Sequence, residues 1–292
     1  MHKEYIVSII TVNYNGLACT CPLLDSLADV DERTEVIVVD NASLADEASA
    51  IASRYPRVKV VRSRRNLGFA GGNNLGFRHS SGRYVFFVNN DTVFDPRGLR
   101  HLVERIESSP STAIVCPKLT FHFDRRTIQY AGYTPLSAIT LRNKSIGFGE
   151  TDRGQYDTAR PTPYAHGAAM LVRRDAILKA GLMPECYFLY YEELDWSMMM
   201  RRHGYDIWYE PRCTVYHKES RTTGSGSPLR TYYLSRNRLL FAKRNVGRAA
   251  LLPTLAYLLC IVAVKEVLSH LAAMRLDLAK AVIKGNIDFF RL

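Results

Sequence analysis

The chain has 292 residues, of which 47% are hydrophobic and 23% are charged. This balance is typical of a folded globular protein with one large domain, or one domain and an appendage, and it excludes disordered, collagen-like and small disulfide-rich classes. The formal net charge of +11 favours three kinds of partner: nucleic acid, a phosphate-bearing substrate and an anionic membrane surface.

Short apolar stretches rich in β-branched residues predict an α/β fold. They indicate buried strands at 5–12, 35–40, 58–61 and 84–88. Helix-length segments are predicted at 22–30, 44–54 and 71–80, and a further helix begins at Asp95-Pro96. Strands that alternate with helices predict a mostly parallel sheet built from βαβ units.

The second half of the chain is less regular. Residues 117–165 are polar and predict long loops or short strands, which suit contact with a variable substrate. Beyond them we predict a strand at 166–172, a helix from Asp175 to Gly181, a helix from Glu192 to His203, and two strands at 206–209 and 213–217.

Polar residues follow each of the first four predicted strands, with Asn13, Asp40, Asn66 and Asp91 among them. In open α/β sheets, ligands bind beyond the carboxyl ends of the strands. Asn, Asp and Gly are also ordinary turn formers. Their recurrence at one edge of the sheet nevertheless favours a binding crevice there.

Asp91 comes directly after a buried strand and is a candidate metal ligand. Mg²⁺ typically binds one or two protein carboxylates together with substrate phosphates, and the cation would neutralise a diphosphate leaving group. His217 ends an apolar strand. A lone histidine is more often structural than a ligand, so both interpretations of His217 stay open.

Three carboxylates, Glu192, Glu193 and Asp195, begin the predicted helix at 192–203 among several aromatic residues. An acidic first turn is common, because a helix N-terminus stabilises each negative charge by roughly 0.3–1 kcal/mol. The aromatic setting also suits stacking against a sugar ring. Partial desolvation by the rings would raise the pKa of a carboxylate, as a general base requires.

These motifs together resemble family 2 of the inverting glycosyltransferases, which have the GT-A fold, and within it the rhamnosyltransferase-like group of cell-surface polysaccharide enzymes. The matching segments are 8–15, 38–43, 65–74, 89–91, 166–170, 191–196 and His217. The resemblance implies a GT-A catalytic domain over residues 1–230, with a nucleotide-binding half at about 1–115 and an acceptor-binding half at about 116–230. A helical C-terminal region would occupy 231–292.

The resemblance also implies a role for each candidate residue. The nucleotide-binding residues would be Thr11, Asn13, Asp40, Arg65, Asn66 and Asn90. A Mg²⁺ or Mn²⁺ ion would bind Asp91 and His217, and Glu193 would be the catalytic base, with Glu192 and Asp195 beside it. The acceptor or the sugar would contact His166, Tyr191 and Trp196.

Two positions depart from the family pattern. Asn89 occupies the first position of the D-x-D metal motif, which leaves the metal one carboxylate fewer. Glu193 stands where the family more often has Asp, so the choice of base between Glu193 and Glu192 stays open.

The implied reaction transfers a sugar, with inversion, from a nucleotide-diphospho-sugar to a hydroxyl of a glycan or lipid-linked acceptor. dTDP-rhamnose and UDP-hexoses are the expected donors. A sugar nucleotidyltransferase is an alternative, but 13–16 lacks the Gly-rich, basic loop that those enzymes carry after the first strand. A non-catalytic binding scaffold is another alternative, although it would have no need for Asp91 and Glu193.

Most of the positive charge lies near the C-terminus, where residues 231–292 carry +7 of the +11. This region is also apolar, whereas a nucleic-acid-binding protein more often has a basic stripe on its folded domain. We therefore expect no nucleic-acid partner. Six cysteines without a C-x-x-C pair, mostly in apolar runs, indicate reduced, buried thiols in the cytoplasm, and the first residues show no secretory signal.

The C-terminal region has two parts. Residues 249–264 carry no charge, but they are shorter than the ~20 residues that span a bilayer, and Pro253 interrupts them. From 265 onward we predict one amphipathic helix with Val267, Leu271, Met274, Leu278, Val282 and Phe289 on its apolar face. A basic amphipathic helix suits an anionic membrane, so residues 245–292 are predicted to lie at the inner face of the cell membrane. Packing on the catalytic domain or on a second subunit of a homo-oligomer is the alternative.

Overall fold

A computed structural model describes residues 6–137, 139–218 and 226–292. Within these residues, ten strands form one mixed sheet. The strands are β1 (Val7–Asn13), β2 (Thr34–Asp40), β3 (Lys59–Arg62), β4 (Tyr84–Val88), β5 (Thr92–Phe94), β6 (Thr112–Phe121), β7 (Ile128–Tyr130), β8 (Arg160–Pro161), β9 (Ala169–Arg173) and β10 (Asp206–His217). Their main order is β3-β2-β1-β4-β9-β6-β10-β5, with β7 beside β6 and β8 beside β10.

The α-helices of the described residues connect these strands and continue beyond them. They are α1 (Leu17–Ser26), α2 (Glu47–Arg54), α3 (Gly68–Arg78), α4 (Leu99–Glu107), α5 (Arg174–Ala180), α6 (Glu192–Arg202), α7 (Pro228–Asn245), α8 (Arg248–Tyr257), α9 (Val264–Ala272) and α10 (Leu276–Phe289). Helix α3 packs on β1 and β2, and α4 packs on β6 and β10.

The four strands predicted at the start of the chain are confirmed as β1 to β4. They pair in parallel, β1 with both β2 and β4, and β2 with β3. Residues such as Ile9, Ile10 and Phe86 are fully buried, because helices cover both faces of the sheet, as the apolar runs without alternation predicted. This half of the sheet brings the ends of β1, β2 and β4 to one edge.

The expectation of irregular structure from residue 117 is wrong at its start, because β6 is a strand of 10 residues in the middle of the sheet. Pro117 and Lys118 hide the pattern by interrupting its apolar run. The ammonium group of Lys118 is buried and pairs with Asp152 and Asp157. Pairing satisfies a charge that would otherwise exclude the residue from the core.

The two strands predicted at 206–209 and 213–217 form one strand, β10. Its parallel pairing with β6 shifts register between Glu210 and Thr214. Pro211 lies in this gap, and proline lacks the N–H group that a regular ladder needs. The irregularity therefore interrupts the apolar pattern in the sequence, whereas the strand itself continues to His217.

All six cysteines are unpaired. Cys116 and Cys213 are buried, and desolvation raises the pKa of both thiols. Cys186 and Cys260 are exposed. The expectation of buried thiols therefore holds for part of the set only.

The prediction of one amphipathic helix from residue 265 is wrong. Helix α9 ends at Ala272, Met274 has a φ of 55°, and α10 begins at Leu276. Helix α10 packs along α7 and buries Val282 and Phe289. Leu271 and Met274 are exposed, so the apolar residues of this region do not share a face.

Helices α8 and α9 join through a π-helical turn, Leu258–Ala263, into one segment of 25 residues, Arg248–Ala272. Its apolar window has a mean hydropathy of 1.9 and is 22% buried, so length and composition would allow it to cross a membrane. The charge-free stretch at 249–264 is only part of this segment.

Candidate active site

A pocket of about 450 Å³ lies at the edge where β1 and β4 end. Its walls come from distant parts of the chain: the strand ends (Val12, Asn89, Asn90, Asp91), the start of α3 (Asn66, Gly68, Phe69), strands β7 and β10 (Gln129, His217), the turn before β9 (His166) and the N-terminal side of α6 (Phe188, Tyr190, Glu192, Glu193). Arg230, near the start of α7, completes it. The predicted crevice is therefore present, and it gathers Asn66, Asn90, Asp91, His166, Glu192, Glu193 and His217.

Asp91 and His217 are adjacent in this pocket, with His217 Nε2 3.2 Å from Asp91 Oδ1. His217 Nδ1 lies 2.9 Å from the Oε1 atom of Gln129. An amide oxygen only accepts hydrogen bonds, so Nδ1 donates to Gln129 in this contact and the Nε2 atom faces the carboxylate. Gln129 was not identified from the sequence, because its place beside His217 depends on the pairing of β7 with β6.

This pair fits a divalent cation. Asp91 Oδ1 is buried and makes no hydrogen bond within the described residues, and a carboxylate oxygen with an imidazole nitrogen is a donor set that Mn²⁺ or Mg²⁺ accepts. The described residues contain no group of three His, Cys, Asp or Glu side chains that could hold a metal. A cation at Asp91 and His217 would therefore need oxygen ligands from a substrate.

Glu192 and Glu193 lie together at the start of α6. Burial raises the pKa of both carboxyl groups, and the charge of Glu193 raises the pKa of Glu192 further, although backbone N–H groups at the helix start oppose the shift. Glu192 Oε2 is buried and has no hydrogen-bond partner within the described residues. Glu193 packs against Gly167, where an added Cβ atom would lie 3.7 Å from Glu193 Cγ.

His166 presents a neutral imidazole to the pocket. Burial lowers its pKa to about 3, so the ring carries no charge at neutral pH. Its Nδ1 atom accepts a hydrogen bond from the Ala168 N–H at 3.1 Å, which assigns the proton to Nε2. The ring stacks on Tyr133 at 5.8 Å with an interplanar angle of 4°. His166 can therefore donate one hydrogen bond to a ligand.

Asn13 and Asp40 lie behind the pocket rather than in its wall. Asn13 Nδ2 donates to Glu47 Oε2 at 2.7 Å and to Asp40 Oδ1 at 3.3 Å, and Asn13 Oδ1 accepts from the Thr20 hydroxyl at 2.6 Å. Asn90 joins this network through Thr20 at 3.0 Å. The network fixes the strand ends that carry the pocket residues.

Thr11 and Arg65 also lie away from the pocket lining. Thr11 is fully buried in β1, and Arg65 is exposed. Asn41, which the sequence analysis did not assign, does line the pocket, and its Nδ2 atom donates to Asn66 Oδ1 at 3.1 Å. The nucleotide roles of Thr11, Asn13, Asp40 and Arg65 stay predictions.

Three residues of the 191–196 motif do not fit the contacts expected of them. Asp195 is fully buried away from the pocket, where it accepts from Tyr187 Oη at 3.0 Å and from Asn245 Nδ2 at 2.9 Å and pairs with Arg244. These contacts join α6 to α7. Asp195 therefore supports the site from behind and does not reach the reacting groups.

Trp196 is 1% exposed and packs edge-to-face on Phe87 at 5.7 Å. Its Nε1 atom donates to the Gly181 carbonyl at 2.9 Å. The Tyr191 ring lies 5.7 Å from that of Phe241, and its hydroxyl accepts from Arg238 Nε at 3.4 Å. Neither ring lines the pocket, whereas Phe188 and Tyr190 do. The acceptor or sugar contacts of Tyr191 and Trp196 therefore stay predictions that the pocket lining does not support.

The sheet and the pocket at its edge have the architecture of the GT-A fold. The structure of the mannosyltransferase PcManGT from Pyrobaculum calidifontis in complex with GDP-Man and Mn²⁺ superposes with a TM-score of 0.61 at 17% identity, over 99% of this chain and 88% of that chain. The structure of GalNAc-T7 with UDP, GalNAc and Mn²⁺ gives 0.61 at 14% identity, over 82% and 51%. These likenesses establish the fold.

The chain belongs to glycosyltransferase family 2, because the family model described as "Glycosyl transferase family 2" matches residues 8–181. It is 28% identical over 69% of its length to the low-salt glycan biosynthesis hexosyltransferase Agl10 of Haloferax volcanii, and the match spans 63% of that protein. It is 25% identical over 75% of its length to the N-acetylglucosaminyl-diphospho-decaprenol L-rhamnosyltransferase of Mycobacterium tuberculosis, of which 78% is covered.

Proposed function

We propose that the protein is an inverting glycosyltransferase that moves a sugar from a nucleotide-diphospho-sugar to a hydroxyl of a glycan or lipid-linked acceptor. The proposal rests on the set of residues that lines one pocket. Asp91 and His217, which fit a cation, and the carboxylate pair of Glu192 and Glu193 line the same cavity. Relatives named as a hexosyltransferase and a rhamnosyltransferase support a UDP-hexose or dTDP-rhamnose donor.

The pocket residues have different roles in the proposed sugar transfer. Asp91 and His217 would hold a Mg²⁺ or Mn²⁺ ion, which when bound neutralises negative charge on the diphosphate leaving group. Glu193 accepts the proton of the acceptor hydroxyl, whose oxygen then attacks the anomeric carbon from the side opposite the diphosphate. Attack from that side inverts the anomeric centre. The His166 Nε2–H group is placed to orient a sugar hydroxyl.

The release of products from a panel of nucleotide-sugars tests this proposal. The full chain is incubated with dTDP-rhamnose and with UDP-hexoses, with and without Mn²⁺, and with a glycan or lipid-linked acceptor. Release of a nucleoside diphosphate supports a glycosyltransferase. Release of pyrophosphate in a parallel incubation with a nucleoside triphosphate and a sugar 1-phosphate would instead indicate a nucleotidyltransferase, and binding without turnover would indicate a scaffold.

We also propose that the region 245–292 rests on an anionic membrane surface at the cytoplasmic face. Leu252 is 76% exposed and Leu268 is 60% exposed, and Arg248 and Lys265 accompany them on the segment Arg248–Ala272. Exposed apolar side chains among basic ones are typical of helices that lie in a membrane interface. Helix α10 contributes less to membrane binding, because its most buried face packs against α7.

Flotation with vesicles tests the membrane proposal. Changing Leu252→Asp and Leu268→Asp together is expected to lower the fraction bound to phosphatidylglycerol-containing vesicles about tenfold, because burial of both side chains in the interface is lost. Leu178→Asp, at an exposed leucine of α5, is the control. Unchanged flotation with an altered oligomeric state would show that the leucines contact a second subunit instead.

A further inference from the structure

The segment that precedes α6, here called the aromatic loop and comprising residues 187–191, has an unusual backbone. Phe188, Tyr190 and Tyr191 have φ angles of 67°, 68° and 78°. Bulky residues rarely adopt this left-handed region, because their Cβ atoms clash with the backbone. Such conformations persist only where surrounding groups enforce them, and they concentrate at functional sites.

The group that enforces the conformation is a side chain of α7. Asn237 is fully buried, and its Nδ2 atom lies within hydrogen-bond distance of three carbonyl oxygens of the aromatic loop: those of Tyr187 at 3.0 Å, Leu189 at 2.7 Å and Tyr190 at 3.0 Å. The Asn237 Oδ1 atom accepts from Arg236 Nε at 2.9 Å, which fixes the orientation of the amide. Asn237 therefore binds the backbone of the loop rather than its side chains.

The opposite side of the loop is held by the start of α3. The Phe188 carbonyl accepts from the Phe69 N–H at 2.8 Å. Gly68 approaches so closely that an added Cβ atom would lie 2.2 Å from the Phe188 oxygen. The Phe188 ring also stacks on Tyr233 of α7 at 5.3 Å and 21°.

The position of the aromatic loop affects the proposed chemistry, because the loop forms part of the pocket wall and leads directly into the carboxylate pair. Phe188, Leu189 and Tyr190 line the pocket, and the chain continues directly into Glu192 and Glu193. A shift of the loop backbone would move one pocket wall and the carboxylate pair together. Displacement of a reacting group by about 1 Å is enough to cost about 100-fold in rate.

We propose that Asn237 is a positioning residue for glycosyl transfer: through three backbone carbonyls it fixes the aromatic loop and so places Glu193 against the acceptor. Asn237 does not line the pocket. It also lies outside the segment 1–230 that the sequence assigns to catalysis, because the boundary at 230 falls within α7. The inference rests on the proposed transferase activity and adds to it a determinant from the C-terminal region.

The variant Asn237→Asp tests the proposal in the full chain. The substitution keeps the shape of the side chain but directs an oxygen, in place of the N–H donors, at three carbonyl oxygens. We expect kcat to fall about 100-fold while the Kd for the nucleoside diphosphate changes less than about threefold, because the base is misplaced and the strand ends are not. Amide exchange of residues 186–192 should become about tenfold faster.

Two controls separate positioning from general stability. Asn286→Asp makes the same change on α10, where the amide donates to the Val282 carbonyl of its own helix, and it should leave kcat and loop exchange unchanged. Tyr233→Leu removes the stack on Phe188 without touching the buried hydrogen bonds. If Asn237→Asp does not fold, Tyr233→Leu provides the test. It must lower kcat about fivefold and speed amide exchange in the aromatic loop alone.

The proposal is overturned if Asn237→Asp keeps more than half of the wild-type kcat, or if its loss of activity equals its unfolded fraction by circular dichroism. Unchanged exchange at 186–192 overturns it as well. If the wild-type chain releases no nucleoside diphosphate from any donor, the proposed function fails, whereas the exchange comparison still decides whether Asn237 holds the loop.

Discussion

The two acidic sites that line the pocket differ in the groups around them. Asp91 lies beside His217, which Gln129 orients. Glu192 and Glu193 lie beside each other, and no ion pair joins either of them to a cation among the described residues. A carboxylate next to an imidazole is suited to share a metal ion, whereas a desolvated carboxylate pair is suited to hold and release a proton. The same functional group is therefore suited to two purposes, and its neighbours decide which.

Removal of the proton-accepting carboxylate should have the largest effect. Glu193→Gln keeps the shape of the side chain but abolishes its basicity, so kcat is expected to fall about 10²–10⁴-fold. Nucleoside diphosphate binding, measured by calorimetry, should be retained. Glu32→Gln, at an exposed position, provides the control. Near-normal turnover of Glu193→Gln would transfer the role of base to Glu192.

Changes at the other acidic site should act on metal binding rather than on proton transfer. Asp91→Asn removes the anionic ligand and is expected to weaken Mn²⁺-dependent binding of the nucleoside diphosphate about 10- to 100-fold. Asn89→Asp supplies the carboxylate that the D-x-D pattern has and this chain lacks, and it should strengthen Mn²⁺ binding. Calorimetry with and without Mn²⁺ measures both. If the wild type binds the nucleoside diphosphate equally tightly with and without Mn²⁺, the proposal that a cation binds at this site is contradicted.

The pH dependence should show a smaller effect that belongs to the carboxylate pair alone. Glu193 acts as a base when it is deprotonated, so kcat/KM should rise with pH through its raised pKa. Glu192→Gln should leave this rise in place, because burial and the charge of Glu193 raise the pKa of Glu192 and the Glu192 carboxyl is still protonated when Glu193 loses its proton. Asp91→Asn should also leave it in place, whereas the residual activity of Glu193→Gln should lose it. Profiles of kcat/KM against pH for these four proteins assign the rise to Glu193 or contradict that assignment.

The same pair has a consequence for stability. A carboxyl group whose pKa is raised on folding favours the folded state most below its unfolded pKa, and this contribution is lost as the pH rises through the folded pKa. Thermal unfolding of the wild type should therefore be easier at pH 8 than at pH 6. Glu192→Gln should reduce that difference, whereas an equal difference in the variant would mean that other groups cause it.

The sequence was most informative where structure is local. Buried parallel strands have continuous apolar runs, so β1 to β4 were predicted, and the polar residues Asn66, Asn90 and Asp91 at the sheet edge were identified from them. The carboxylates at 192, 193 and 195 were found as the acidic first turn of α6, and the resemblance to the family singled out Glu193 among them. These residues can be identified without knowing which distant segments pack against them.

What the sequence missed depends on long-range pairing. Strand β6 was hidden because Lys118 is a buried charge whose partners lie more than thirty residues away. Gln129 gains its role only from the pairing of β7 with β6, and Asn237 only from the packing of α7 against the aromatic loop. Asp195 and Trp196 lie outside the pocket lining for the converse reason, since a motif identifies neighbours in sequence but not the direction in which each side chain points.

The three hydrogen bonds of Asn237 have a consequence for biosynthesis. During synthesis, domains form from the N-terminus onward, so the strands and the loop at 187–191 leave the ribosome before α7 does. The loop cannot be held in its left-handed conformation until residue 237 has emerged and packed. If Asn237 holds the loop as proposed, nascent chains that stop before α7 would carry the pocket side chains from Val12 to His217 and still lack an assembled catalytic centre.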